Sequence, residues 1–365
     1  MLQYNGVGVF CVGQIMTIKN YHIAFWNLEN LFAPEGHVGR IDWLAKRIKN
    51  DLKGWSDALF KRKLWQLTQV IVAMNDGHGP DVLGVCEVEN RFVLDELLKV
   101  IGHHLPARDY GVIHADNMRD RRGIDTAFIY DRDKLSINED EFFSHFVLRR
   151  TGTRDISQVT FTTPNGNEFV AMCNHWPSRS GGTAESAGFR QTAGETVAYW
   201  HARIREEKGD DVALIVMGDF NDDPEDMSVK LNARATRARP RVSSRRSVDR
   251  LYNLTDFYRE SMIEAKNGRN RRIYGTLYYK GFPNLFDQIW VSRGFLSGTN
   301  AWEVDEDTAK IEAIPDMVNT SSSKGPIRFG LPRGKPEKNI NQDGYSDHFP
   351  VSVIIRENID DTEVT

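Results

Sequence analysis

The feature that most restricts this chain is a recurring pattern in which a strand-length apolar run meets polar residues at its end. Asn27 and Glu29 follow HIAFW, Glu87 and Glu89 follow DVLGVC, Asn174 and His175 follow EFVAMC, and Asp219 and Asn221 follow LIVMG. Asp347 and His348 precede FPVSVII, and Asp287 opens the run DQIWV. Short apolar runs separated by helical stretches belong to layered α/β proteins, whose strands are buried on both faces. Strand ends in such sheets present side chains to a shared crevice, so these polar clusters are candidates for a single site.

The order of elements follows the same logic. Strands are expected at His22 to Trp26, Val82 to Cys86, Tyr110 to Ala115 and Asp125 to Tyr130, with helices over Trp43 to Ile48, Asp57 to Met74 and Phe92 to Ile101. Phe142 to Leu148, Gln158 to Thr162 and Glu168 to Cys173 read as antiparallel neighbours, the last two joined by the turn signal Pro164-Asn165-Gly166. A helix over Ala187 to Arg205 then leads to strands at Val212 to Met217, Tyr274 to Tyr279, Leu285 to Val291 and Phe349 to Ile355. Seven arginines and few apolar residues between 234 and 250 predict a flexible surface insertion. The expected organisation is an N-terminal extension over 1–19, one domain over 20–356 carrying the insertion, and an acidic tail over 357–365.

Composition narrows the classes. With 40% apolar and 27% charged residues, the 365-residue chain is globular, and a formal net charge of −4 declares no polyanion or membrane partner. Cys11, Cys86 and Cys173 are too few to staple a chain of this length, which fits a reducing, cytoplasmic setting. Tyr4 to Met16 lacks a basic start and a small-residue cleavage site, so it does not read as a secretion signal. No window has the ~18 to 20 apolar residues of a spanning helix.

Several carboxylates converging without as many cations would repel one another, and a divalent metal ion is the natural compensation. Carboxylate, amide and water oxygens are hard ligands that suit Mg²⁺ or Mn²⁺ better than Zn²⁺. There is no HExxH, no cysteine cluster and no GxxxxGK[ST] phosphate loop. Bland alternatives stand beside each residue. Asn27 and Asn221 are also plausible caps, His175 a satisfied half-buried histidine, and Asp287 an ordinary strand-start residue. Glu89 and Asn90 fit a cap for the helix at Phe92 better than a metal site, and His201 fits a solvated helix face.

The segments WNLENLF (26–32), DVLGVCE (81–87), NHWPSR (174–179), MGDFN (217–221), FDQIWVS (286–292) and YSDHFPV (345–351) resemble, in order and spacing, the motif set of the endonuclease/exonuclease/phosphatase superfamily. The resemblance runs over residues 20 to 356. It implies a four-layer α/β/β/α sandwich of two packed mixed sheets flanked by helices, with Mg²⁺-dependent hydrolysis of phosphoesters at one edge of the sheets. It further implies that Glu87, Asn27 and Asp347 hold the metal, with Glu29 where some relatives carry a second acidic ligand. Asp219 would activate or orient water, Asn221 would hold Asp219 and the phosphate, and His348, polarised by Asp287, would stabilise the transition state or move a proton. His175 would contact a phosphate oxygen or the leaving group. Apart from the resemblance, Asn174 beside it at the strand end and Arg190 on the helix after the His175 loop are candidate phosphate contacts.

Branch differences point to a substrate. Abasic-site endonucleases of this superfamily carry Tyr-Pro-Asn where this chain has Asn174-His175-Trp176-Pro177, and an aromatic TWW-like stretch where it has GTLYYKG. Inositol polyphosphate 5-phosphatases carry Pro-x-Trp-Cys-Asp-Arg where it has PNLFDQ. His175 resembles the deoxyribonuclease-like and sphingomyelinase-like branches. Arginine clusters at 119, 121 and 122, at 234–250, and at 269, 271 and 272 fit contacts to backbone phosphates. The expectation is therefore a DNA endonuclease of low sequence specificity. A phosphatase for a small or lipid-linked phosphoester and a non-catalytic nucleic-acid binder are the alternatives.

Overall fold

A computed structural model describes residues 16–116, 120–148, 153–258, 261–265, 267–320 and 325–360. The chain opens with strand β1 (Met16–Leu31), helices α1 (Asp42–Leu52) and α2 (Asp57–Gly77), strand β2 (Val82–Val88), helix α3 (Arg91–His104), and strands β3 (Tyr110–His114) and β4 (Asp125–Asp131). Helical geometry in α2 stops at Met74, and its start is capped by Ser56, whose hydroxyl accepts from the Leu59 N–H. Asn90 caps α3 by accepting from the Val93 N–H at 3.2 Å, as its position ahead of Phe92 predicts.

Short strands β5 (Ser136–Ile137) and β6 (Phe143–His145) lead into β7 (Ile156–Thr162), β8 (Glu168–His175), the long helix α4 (Thr183–Lys208) and β9 (Leu214–Asp219). Then follow β10 (Ala235–Thr236), helix α5 (Arg239–Ser243), β11 (Leu251–Asn253), helix α6 (Thr255–Tyr258), and the two-stranded pieces β12 (Met262–Glu264) with β13 (Asn270–Arg272) and β14 (Leu277–Tyr279) with β15 (Phe282–Asn284). Strands β16 (Asp287–Val291), β17 (Trp302–Ile311) and β18 (Val351–Asp360) complete the sheets.

Two mixed sheets result. One has the order β17-β18-β1-β2-β4-β3, and the other runs β10-β11-β16-β9-β8-β7-β5, with β6 paired to β7. Side-chain alternation shows how they stack. Phe169, Ala171, Cys173, Ile215 and Met217 join the core between the sheets, whereas Val170, Met172, Leu214 and Val216 face Ala193, Val197 and Ile204 of α4. Buried residues of α1, α2 and α3 join the core of the first sheet. The architecture is the expected helix, sheet, sheet, helix sandwich. Gly84 in β2 marks how closely the sheets approach, since a Cβ there would lie 2.6 Å from Met217 Sδ.

Several local expectations give way. Strand β1 begins at Met16 and pairs with β18 as far as Asp360, so residues 16–19 and 357–360 are sheet rather than extension and tail. Glu357 is fully buried and accepts from Tyr21, Thr163, Asn165 and Asn167. The arginine-rich 234–250 segment is folded, with Ala233, Ala235 and Val242 buried beneath it. Three of its seven arginines are ion-paired: Arg234 with Asp249, Arg237 with Glu225 and Asp256, and Arg239 with Glu306. His201 is buried at 1% exposure rather than solvated. Of the strand expected over Tyr274 to Tyr279, only Leu277–Tyr279 forms, as half of the β14–β15 hairpin outside both main sheets. Cys86 and Cys173 are buried free thiols, as expected, and Cys11 lies outside the described residues. No helix among the described residues is long and apolar enough to cross a membrane.

Candidate active site

Sheet register brings the predicted residues together. Strands β8, β9 and β16 lie side by side, and His175, Asp219 and Asp287 are directly paired across them. From the facing sheet, Asn27 ends the regular pairing of β1 with β2, and Glu87 sits at an irregularity in β2 where the register against β4 shifts. Glu29, Asn30, Glu87 and Asn221 all have left-handed backbone, with φ of 50°, 55°, 62° and 52°. Non-glycine residues pay about 1 to 3 kcal/mol for such conformations, which persist where surrounding structure enforces them and a side chain must be aimed.

Asp219 is the hub. Its Oδ1 accepts from the Asn221 N–H at 3.0 Å and its Oδ2 from the Asn27 amide at 3.1 Å. His175 Nε2 and His348 Nε2 face the same Oδ2 at 3.7 and 3.8 Å. Behind His348, Asp287 Oδ2 lies 2.7 Å from Nδ1, which fixes the ring's orientation and favours its charged form. Trp26 Nε1 donates to the His348 carbonyl, and Ser346 Oγ accepts from the His348 N–H while donating to the Asn27 carbonyl. The segment Ser346 to His348 is thereby tied to the end of β1.

The two histidines are driven to opposite charge states. Burial works against a charged His348, yet the carboxylates of Asp287, Asp219 and Asp347 outweigh it and hold the ring well above the ordinary histidine value. Burial pushes His175 well below that value, reinforced by the charges of Arg154, Arg122 and His348. Burial also raises Asp219 to about 6, with His348 pulling against it and Asp287 adding to the rise.

Glu87 is the anion of the facing sheet. Burial opposes its ionisation, but Arg122, His348, Arg154 and the Asn30 N–H prevail and lower its pKa. Its Oε1 lies 3.2 Å from Arg122 Nη2 and 3.6 Å from His175 Nε2. Asp347 is pushed up by burial and by the charge of Glu87, against the pull of His348, Arg328 and Lys63. That repulsion is what a divalent cation would relieve, and the donors at hand are carboxylate and amide oxygens. The residues present therefore fit a hard divalent metal. Asp219, Asp287 and His348 also cluster tightly enough to hold an ion, although the 2.7 Å Asp287–His348 bond already uses that ring's Nδ1.

Three predicted residues serve the surroundings instead. Glu29 is 1% exposed and committed to Arg328 and to the backbone N–H groups of Phe329 and Gly330, while Lys63 donates to its carbonyl. Asn174 faces α4 with Met172, bridging the Trp176 indole and the Met217 carbonyl. Arg190 is 1% exposed and ion-paired to Asp222 at 2.7 Å, with further bonds to Pro177, Ser186 and Thr183. Sequence reasoning missed Lys63, Arg154, Arg328 and Ser346. Only Ser346, inside YSDHFPV, carried a local signal. Of the arginine clusters, Arg122 reaches Glu87 and Arg271 donates to the carbonyls of Asn319 and Thr320, whereas Arg119 lies outside the described residues.

Comparisons with known proteins follow this geometry. The sequence profile of the Endonuclease/Exonuclease/phosphatase family matches residues 22–357. No curated protein matches the sequence. The fold is similar to that of an endonuclease/exonuclease/phosphatase family protein from Bacteroides thetaiotaomicron, with 17% identity, coverage of 94% and 97% of the two chains, and a TM-score of 0.53. It is also similar to a mannosyl-6-phosphatase of the same organism, at 18% identity, 93% and 99% coverage and a TM-score of 0.50. Truncated Caenorhabditis elegans TDP2 gives 13% identity, 92% and 98% coverage and a TM-score of 0.50.

Proposed function

The chain belongs to the Endonuclease/Exonuclease/phosphatase family, and from that premise we propose that it is a divalent-metal-dependent phosphoric-ester hydrolase that cuts DNA internally with little sequence preference. The observation that carries the hydrolase reading is the Asp287–His348–Asp219 arrangement, with neutral His175 on the other side of Asp219 Oδ2. Phosphodiester cleavage needs an oriented water, a stabiliser for charge on the phosphoryl oxygens, and a proton for the leaving oxygen.

Asp219 orients the water and accepts its proton, held in place by Asn27 and Asn221. Imidazolium His348, oriented and kept charged by Asp287, faces the phosphoryl oxygens and gives its Nε2 proton to the leaving oxygen. His175 donates a hydrogen bond to a phosphate or leaving oxygen. Glu87, Asp347 and Asn27 would hold Mg²⁺ or Mn²⁺, which supplies Lewis-acid stabilisation when bound. Glu29 acts one step back, by anchoring the Arg328–Gly330 loop.

Support for a nucleic-acid substrate comes from the arginines beside Glu87 and from the β14–β15 hairpin. That hairpin bridges to His348 through Leu277 and exposes Tyr279 and Phe282, side chains suited to base stacking. A small phosphoester is the second reading, favoured by the internal pairing of Arg234, Arg237 and Arg239, which removes those cations from backbone contact. A time course on supercoiled plasmid and linear DNA with Mg²⁺, Mn²⁺ or EDTA decides between them, with Asp219→Ala as control. Nicking abolished by EDTA and by the substitution, and falling steeply with salt, is expected. Phosphate release from small esters without any DNA cleavage would assign the same residues to a phosphatase. Retained DNA binding with no hydrolysis of either would leave a binder.

A further inference from the structure

A cavity of about 880 Å³ opens beside the metal-ligand side of the site, and the charged part of its wall is five guanidinium groups against the carboxylates of Asp51 and Glu185. Arg47, Arg121, Arg122, Arg154 and Arg333 line it. It shares Asn30 and Arg122 with Glu87, and its floor includes Pro177 and Ser178, which follow the His175–Trp176 pair. The size suits a nucleotide-scale ligand rather than a single ion.

Arg154 gives the second, independent observation. It is 6% exposed, donates from Nη2 to the Trp176 carbonyl at 2.8 Å, and meets its nearest carboxylate, Asp120, only at 4.0 Å. Its Nε–H is buried without a partner. Burying a cation so thinly compensated is costly unless a ligand completes it. Burial lowers its pKa even though Asp120 pulls the other way. At the rim, Arg47 forms no ion pair among the described residues, and Arg333 reaches Asp51 only at 3.5 Å. These guanidiniums remain available to an anion, and their planar donors match phosphoryl oxygens.

We propose that this cavity binds a second phosphoryl group of the same substrate molecule, so that the enzyme cleaves one phosphoester while gripping another. The proposal rests on the phosphoester-hydrolase reading of the adjoining site. A second phosphoryl group has two sources, the neighbouring phosphodiester of a strand or a terminal phosphate.

The test is calorimetric binding to the full chain in EDTA, which separates the cavity from turnover. Adenosine 3′,5′-bisphosphate is expected to bind at least tenfold more tightly than adenosine 5′- or 3′-monophosphate. In Arg47→Ala/Arg333→Ala, whose fold is checked by circular dichroism, that ratio is expected to fall below threefold. Equal binding of mono- and bisphosphate by the wild type, or an unchanged ratio in the variant, would overturn the proposal. A matching gain for a trinucleotide over a dinucleotide, both without terminal phosphates, identifies the strand as the source, and its absence identifies a terminal phosphate. A preserved ratio with no DNA cleavage sinks the nuclease reading alone, and cleavage with no ratio sinks the cavity alone.

Discussion

Asp287 opens β16 of one sheet, His348 precedes β18 of the other, and the two meet at 2.7 Å, carboxylate oxygen to Nδ1, which leaves Nε2 aimed at Asp219. Replacing Asp287 with Asn keeps the shape but removes the carboxylate that orients the ring and favours its charged form. A fall in kcat of about 10² to 10⁴ is expected, with KM little changed. Asp219→Ala should lose at least as much while melting as a folded protein. Steady-state kinetics on whichever phosphoester proves active, together with a melting curve, checks both, and wild-type kcat in Asp287→Asn would remove Asp287 from the mechanism.

Metal linkage gives a readout independent of turnover. Mg²⁺ or Mn²⁺ at about 100 times its Kd should stabilise the wild type by about 2.7 kcal/mol, since only the folded chain assembles the oxygen donors. Glu87→Gln should abolish the shift in melting temperature. An equal shift in wild type and variant would place the ion elsewhere.

Glu357 ties the two sheets together, accepting from Tyr21 of β1 and from Thr163, Asn165 and Asn167 in the β7–β8 turn. Burial disfavours its charge, but those four donors win and lower its pKa. Glu357→Ala leaves buried donors without an acceptor and should cost about 2 to 4 kcal/mol in urea unfolding. A loss below about 0.5 kcal/mol would show that water replaces the carboxylate freely.

His201 on α4 is buried with Nε2 unpartnered, and burial, aided by the charges of Arg205 and Arg234, lowers its pKa to about 3. The unfolded chain takes up a proton near pH 6.5 that the folded chain refuses until near pH 3. The stability contributed by keeping this ring neutral is therefore complete above pH 6.5 and is lost as the pH falls through that window, by up to about 1.4 kcal/mol per pH unit. His201→Leu should be less sensitive to acid than the wild type by that slope. Parallel slopes in denaturant titrations at pH 7.5 and 5.5 would refute the assignment.

Much of the site was legible because strand ends in a sandwich converge, and Asp219, Asp287 and His175 stand at one level of adjacent strands. Alternation along β8 already separates His175 from Asn174, because Cys173 and His175 share one face while Met172 and Asn174 share the other. Arg190 misled because a helix arginine following a site loop reads as a phosphate contact, and only the three-dimensional position of Asp222 shows that its charge is taken. Strand β17 escaped notice since its sequence, WEVDEDTAKI, is that of a charged sheet edge, where protection from aggregation masks the apolar alternation. Lys63 and Arg328 gave no sign because their partner, Glu29, is far away in sequence.

The left-handed backbone at Glu29, Asn30, Glu87 and Asn221 sets stability and activity against each other in directed evolution. Glycine at any of these positions would relieve the strained conformation while deleting a side chain that forms the site or holds its surroundings. A library selected for heat resistance alone would therefore collect glycines at the mouth of the crevice and drift towards robust, inert proteins. Selection for turnover would keep the strain and recover stability elsewhere, in places such as the outer face of α4.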